Sequence, residues 1–370
     1  APTLARGVEP RTPASAAATL RRTPLIMYLH ALATAVPRAS FTPAACAVLA
    51  QRPSVRARIS RRSSLILQSI LRSDHGIATR HFAVGDVDRV FELSSDELNA
   101  AFRSEGPKLA GRALSAALAQ AGVQANEIDA LLICTCTGYL CPGLTSYVAE
   151  QLGVRPNAFL QDLVGLGCGA AIPTLRAASH IVASQPGAVV ACIAVEICSA
   201  AFFLDDDPGV LISACLFSDG AAATLWRSTP GPTGLRAFDF RTLHRPAERD
   251  KLRFEQRDGK LRNLLDRSVP ELAAAAVDTL WRERGSRPVA GVVAHPGGRD
   301  VLEALAPVVA PYNLAASIAT LRDFGNMSSP SVLFALDRTL RDGTDTADGD
   351  LWLVSFGAGF SAHSCRVGRG

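Results

Sequence analysis

Three polar side chains stand where chemistry could be done. Cys168 lies between Gly167 and Gly169 in VGLGCGAAIPTLRAA, behind the apolar segment FLQDLVGLG and ahead of a run with helical character. That places the thiol at a strand-to-helix junction. Unpaired backbone N–H groups and the helix dipole favour a thiolate there, and the thiolate is the form that attacks acyl groups. The flanking glycines allow a tight turn and a close approach of substrate to backbone. His295 follows the apolar run GVVA and precedes Pro296-Gly297-Gly298, at a strand end of the kind where α/β sheets meet their ligands. Asn326 lies in DFGNMSSPSVLFALD, between a glycine and an amphipathic helix, and Gly357 and Gly359 mark a turn between the apolar strands of LWLVSFGAGFSAHS. Each also has a purely structural reading: a small buried thiol, a satisfied buried imidazole, a helix cap, a hairpin turn.

The elements that must position these residues follow from pattern and punctuation. RRTPLIMYLHALATAVP imitates a signal peptide, but its apolar core is short and holds His30, so it reads as a first buried strand. Thr42 before Pro43 starts a helix, Pro53 interrupts it, and a second helix follows through Leu71. Ser94 and Glu97 form a capping box for a helix to Gly122, broken near Gly106-Pro107. EIDALLICTCTG is a buried strand, GLTSYVAEQLG a short helix, and NAFLQDLVG the strand that delivers Cys168. The helix after Cys168 ends near Gln185-Pro186-Gly187, and AVVACIAVEIC is a central strand. Pro230, Gly231, Pro232 and Gly234 mark a linker, and LRFEQRDGKLRNLL is a hairpin turning at Asp258-Gly259. The second half then repeats the order of the first: helix PELAAAAVDTLWRERG, strand PVAGVVAHPGG, further helices and a final strand pair. The chain is therefore expected to be a duplicated α/β fold, with a disordered tail at 1–23 and halves at 24–228 and 229–370.

Composition excludes several classes. A chain of 370 residues with 48% hydrophobic content can bury a large core, and the apolar run 188–204 contains Glu196 and falls short of a membrane span. Nine cysteines without paired C-x-x-C spacing point to reduced thiols in a cytoplasmic protein, with no metal site. Cys134 and Cys136, the one close pair, would share a strand face and have no histidine nearby. The formal charge of +4 is uneven: residues 1–62 carry ten Arg, no Lys and one acid, Glu9, making +9 there and −5 elsewhere. Such a region suits a phosphate-rich ligand, an acidic carrier protein or a membrane surface, and equally a solvated face. Nothing in it points to nucleic acid.

Together, GLGCGAA, AHPGG, GNMSSPSVLFALD, LFSDGAAA and SFGAGFSAHS resemble, in order and spacing, the type III polyketide synthases, the chalcone synthase-like enzymes of the thiolase fold. The resemblance runs from about residue 24 onward. It implies a five-layered αβαβα fold, a homodimer, coenzyme A thioester substrates and no metal or organic cofactor. It also implies roles: Cys168 as nucleophile, His295 and Asn326 as hydrogen-bond donors to the malonyl thioester carbonyl, Phe217 as gatekeeper, and the Gly357–Gly359 turn as a shaper of the cavity. Oxyanion donors of this kind are worth about 2.7 to 4 kcal/mol of barrier each. His295 would also pair with the Cys168 thiolate.

Where plant members carry cavity-lining threonines, VEICSAAFF offers Cys198 and Ala201. A further lining position is Cys136, and the position that reaches into the partner's cavity is Cys141. Walls of Cys and Ala favour an aliphatic chain over a hydroxylated ring. FLDDDPGVLISACLFSDGA and SFGAGFSAHSCRV look most like bacterial alkylresorcinol and alkylpyrone synthases, which use fatty-acyl starters. The family's basic coenzyme A residues are not retained, Asp74 standing near one such position, so Arg72 and its neighbours would substitute or a carrier protein would bring the starter. The competing expectations are a single condensation of the ketoacyl synthase III type, an aromatic starter, and a non-catalytic thiolase-fold partner.

Overall fold

The computed structural model describes residues 26–84, 89–344 and 346–369, so the expected tail at 1–23 lies outside the described residues. The first half contains β1 (Met27–Ala35), β2 (Ser40–Phe41), α1 (Pro43–Leu49), α2 (Pro53–Arg56), α3 (Arg61–Arg72), β3 (Arg80–His81), α4 (Ser95–Ala121), β4 (Ala130–Thr135), α5 (Leu144–Leu152), β5 (Phe159–Val164), α6 (Ala171–Ser184), β6 (Val190–Glu196), α7 (Pro208–Leu216) and β7 (Gly220–Arg227). The second contains β8 (Arg236–His244), the hairpin β9 (Leu252–Arg257) and β10 (Lys260–Leu265), α8 (Val269–Arg282), β11 (Val289–Ala294), α9 (Arg299–Val309), α10 (Ala315–Phe324), α11 (Ser331–Arg341), β12 (Asp350–Gly357) and β13 (Ser361–Gly368).

The duplication is visible in the pairing. One sheet runs β11-β12-β13-β8-β1-β7-β6-β4-β5, and its halves meet where Met27 of β1 lies opposite Ala237 of β8. Going outward from that seam, β1, β7, β6 and β4 are joined by two antiparallel steps and one parallel step, and so are β8, β13, β12 and β11. The first half adds β5 at its edge, parallel to β4. α6 and α11 each pack on strands of both half-sheets, while α4 covers the outside of the first and α8 the outside of the second. This is the expected αβαβα order, with β4, β6, β12 and β13 buried along their whole length because helices cover both faces.

Two local expectations are corrected. α4 does not break at Gly106-Pro107 but runs through both, with Pro107 inside the helix. Both residues are buried among Phe102, Leu109 and Ala110, against β1 and β7, and that packing outweighs the lost hydrogen bond and the ring clash of a helical proline. The capping box holds as expected: Ser94 Oγ accepts from Glu97 N at 3.2 Å and Glu97 Oε2 from Ser94 N at 2.8 Å. The second correction lies after Pro53, where two helices replace one. Ser60 caps α3 by accepting from Ser63 N, so the chain stops and restarts there. Among the described residues no helix is long and apolar enough to cross a membrane.

Candidate active site

Cys168 sits in a tight turn, Gly167–Gly169, between β5 and α6, at the strand-to-helix junction expected for it. Two glycines make that turn possible. Gly167 has φ +55°, and a Cβ there would come 2.9 Å from Ala358 N; a Cβ on Gly357 would come 2.9 Å from Cys168 N. The β12–β13 turn is thus pressed directly on the backbone of the nucleophile loop. Gly357 shapes the Cys168 loop itself, and neither it nor Gly359 is among the residues lining the main cavity.

His295 follows β11, its N–H bonded to Val354 O at 2.8 Å, and its ring lies edge-on to Phe356 with centroids 5.2 Å apart. Nδ1 is buried without a partner, so a proton there would be stranded. The tautomer with the proton on Nε2 is favoured, and the ring then acts as a donor. Asn326 is held on both sides of its amide: Nδ2 donates to Gly297 O at 3.0 Å, and Oδ1 accepts from Ser328 N at 2.8 Å. One Nδ2 hydrogen remains for a substrate. Its backbone also pairs with the segment around Phe217, Asn326 N to Leu216 O and Ser218 N to Asn326 O, in a parallel bridge opposite Phe217.

Cys168, His295, Asn326 and Phe217 line one cavity of about 450 Å³. Its other walls are largely apolar, from Ile70 and Ile77 through Ile212 and Leu216 to Leu265 and Val269, with Ser73, His75, Arg267 and Arg299 the polar exceptions among others. Cys198 and Ala201 are not on it. They line a separate space of about 20 Å³ on the other side of Phe217, which borders both. Cys136 is half-buried beside the nucleophile, and Cys141 is exposed on the single chain.

The electrostatics oppose one expectation. Burial pushes the Cys168 thiol up to about 12, although the Ser328 hydroxyl, donating to Sγ at 3.3 Å, pulls the other way. Burial likewise pushes the His295 imidazole down to about 3. Burial thus works against the expected thiolate–imidazolium pair, since it favours the neutral thiol and the neutral ring. Desolvation in the closed interior exceeds what the helix dipole and the turn N–H groups supply.

Two residues that sequence reasoning missed organise this site. Ser328, at φ +59°, places its Oγ 3.3 Å from both Cys168 Sγ and Cys136 Sγ. Glu196, wholly buried at the end of β6, accepts from Thr135 Oγ1, Cys136 N, Thr137 N and Thr137 Oγ1 on one oxygen and from Ser329 Oγ at 2.5 Å on the other. Burial raises its pKa against the pull of those donors. A lone acid ending an apolar strand, and two serines just beyond Asn326-Met327, were the available signals.

A thiol, an imidazole and a side-chain amide lining one largely apolar cavity are suited to acyl transfer from a thioester. Comparison with known proteins agrees. Residues 86–246 match the family described as FAE1/Type III polyketide synthase-like protein, and residues 260–366 match the C-terminal domain of chalcone and stilbene synthases. The chain is 32% identical over 260 residues to the 3,5-dihydroxyphenylacetyl-CoA synthase of Amycolatopsis orientalis, covering 67% of this chain and 70% of that one. It is 28% identical over 295 residues to the 1,3,6,8-tetrahydroxynaphthalene synthase of Streptomyces coelicolor, covering 78% and 79%. The crystal structure of the latter superposes with a TM-score of 0.80 at 25% identity, over 92% of this chain and 98% of that one. PKS-I of the brown alga Ectocarpus siliculosus has the same fold, with a TM-score of 0.82 at 23% identity over 92% and 98%. The chain belongs to the type III polyketide synthases, acyltransferases that work by decarboxylative Claisen condensation.

Proposed function

We propose that Cys168 takes an acyl starter from a coenzyme A or carrier-protein thioester and that the chain is then extended repeatedly with malonyl-CoA and cyclised. The observation that carries this reading is the convergence of Cys168, His295, Asn326 and Phe217, from four separate segments, on one cavity. In acylation the new thioester forms at Cys168 Sγ, and its proton leaves finally on the departing coenzyme A thiol. His295 Nε2 and the free Asn326 N–H then bind the malonyl thioester oxygen, where negative charge gathers as carbon dioxide departs. Phe217 keeps water from the carboxylate, which favours its loss. The resulting carbanion attacks the acyl-Cys168 carbonyl.

For the starter we favour an alkyl chain, giving alkylpyrones or alkylresorcinols, because Cys198 and Ala201 present apolar walls beyond Phe217. A second reading rests on the size of that space: about 20 Å³ is room for about one water, which suits an acetyl- or malonyl-sized starter and a small hydroxylated product. We also propose a homodimer, formed through the β5 edge and bringing Cys141 toward the partner's cavity. Mass spectrometry of products from malonyl-CoA with acetyl, hexanoyl, dodecanoyl and coumaroyl thioesters tests the assignment. Alkylpyrone or alkylresorcinol masses from the longer acyl thioesters support it, single-condensation products alone would overturn it, and Cys168→Ala should abolish starter loading.

A further inference from the structure

Between residues 43 and 73 the sequence holds six Arg, no Lys and no acid, and the chain folds this stretch into α1, α2 and α3. α3 buries Ser63, Leu67 and Leu71, so its opposite side faces outward. Helical spacing puts Arg61, Leu65, Ser69 and Arg72 on one stripe there, and all four are exposed, with Arg62 beside them. Leu65 is 64% exposed. α1 lies alongside: Gln68 donates to Ala47 O at 3.1 Å, and Gln51 donates to Gln68 Oε1 at 3.4 Å. The outer side of α1 carries Ala44, Ala45 and Val48, the last 65% exposed. Two large apolar side chains thus stand uncovered on adjoining helices.

The charges around them are unpaired. Elsewhere on the surface arginines sit against carboxylates, Arg282 with Asp278 at 2.8 Å, Arg341 with Asp337 at 2.6 Å and Arg322 with Asp323 at 2.7 Å. Among the described residues, Arg56, Arg58, Arg61, Arg62 and Arg72 are exposed with no ion pair and no side-chain hydrogen bond. Asp206 reaches the stretch but is taken up by the start of α3, accepting from Ser60 N at 2.7 Å, and Asp74 just beyond it accepts from Gly76 N at 3.0 Å. Five like charges without partners repel one another, and an anionic surface relieves that repulsion. An acidic protein would meet the charges. A bilayer also takes up the apolar side chains between them, below the level of its phosphates.

We propose that the outer face of α1 to α3 docks the protein on an anionic lipid bilayer, with Val48 and Leu65 entering the headgroup layer and the five arginines holding lipid phosphates. This goes beyond the synthase reading and holds for any starter. Ile70 and Ser73, near the far end of α3, line the Cys168 cavity, so docking brings that wall of the cavity toward the membrane surface, where amphiphilic thioesters and alkyl products gather. Each arginine near an anionic surface strengthens the partition about fivefold.

The test is flotation of the full chain with vesicles of phosphatidylglycerol and phosphatidylcholine in equal parts, against vesicles of phosphatidylcholine alone. The protein should float with the first and not with the second. Raising the salt from about 0.1 M to about 1 M should release it, as the screening length shrinks from about 10 Å to about 3 Å. Arg61→Gln combined with Arg62→Gln should lower the partition coefficient about twentyfold or more, and Leu65→Glu about tenfold or more, both with the circular dichroism of the wild type. Arg282→Gln, on α8, should change it by less than about twofold. No flotation with the anionic vesicles, equal flotation with both compositions, or a double variant that floats like the wild type would each overturn the docking face. Capture of an acyl carrier protein that the double variant abolishes, with vesicles ignored, would give the face to an acidic protein and overturn it too. Product formation from malonyl-CoA in vesicle-free buffer reads the synthase assignment separately, so either can fail without the other.

Discussion

Burial pushes the Cys168 thiol up to about 12, and this bears on how the residue should respond to pH. A thiol whose pKa lies near 12 is almost wholly neutral at pH 7, so alkylation by iodoacetamide should rise about tenfold per pH unit through the alkaline range. The exposed Cys141 should be labelled first, and fast labelling of Cys168 that levels off below pH 8 would overturn the neutral-thiol picture. The same shift has a consequence for folding. The unfolded thiol titrates near 9.0 and the folded one near 12, so its contribution to stability is full below pH 9 and declines as pH rises from there toward 12. In the proposed reaction Asn326 acts at another step. Asn326→Ala removes one donor to the malonyl oxygen and should slow decarboxylation by about 10²- to 10³-fold while leaving Cys168 loading measurable by intact-protein mass. The positions of Cys168, His295 and Asn326 were legible in the sequence because each sits beside glycines at the end of a regular element. Ser328 and Glu196 were not, since one depends on a left-handed backbone and the other on three chain segments meeting at one carboxylate. The thiol's protonation state was illegible for a related reason: desolvation belongs to the folded interior, not to a motif.

At the scale of elements, the β12–β13 turn and the Cys168 turn behave as one unit. A side chain at residue 357 would drive into the N–H groups of Cys168 and Gly169. Gly357→Val should therefore lower kcat by at least about tenfold and also lower the melting temperature, because the displaced backbone groups are those that aim the sulfur. Activity near wild type in a folded Gly357→Val protein would show that the two turns are not coupled. Sequence pattern located β1, where a secretory signal was the rival, β4 to β6, the hairpin at Asp258-Gly259 and β11 to β13, but not the short β2 and β3 or the central β7 and β8. It failed at Gly106-Pro107 because local propensity speaks for an isolated helix, whereas α4 is fixed by the sheet beneath it. It also could not tell that Cys198 and Ala201 lie on a different space from Cys168, since only packing puts Phe217 between them.

For the whole molecule, the first half ends in an edge strand with unusual exposure. Phe159 and Val164 on β5 are each 52% exposed on the single chain, and Tyr139, close in sequence to Cys141, is 72% exposed. An uncovered edge with apolar side chains is a liability that pairing with a second copy removes. Phe159→Glu should shift the protein from dimer to monomer in analytical ultracentrifugation, and a wild type that sediments as a monomer at micromolar concentration would overturn that assembly.

The bridge between Phe217 and Asn326 joins a residue of the first half to one of the second by two backbone hydrogen bonds, a few residues from the seam of the active cavity. Chemistry here is thus a property of the union of two chain segments that duplication made separate, and neither repeat could have inherited it alone. Any partial opening that parts the halves erases the donor set and the nucleophile's surroundings in one event. Thermal inactivation should then come no later than the loss of tertiary structure, and activity that outlasts the near-UV circular dichroism signal on heating would overturn this coupling.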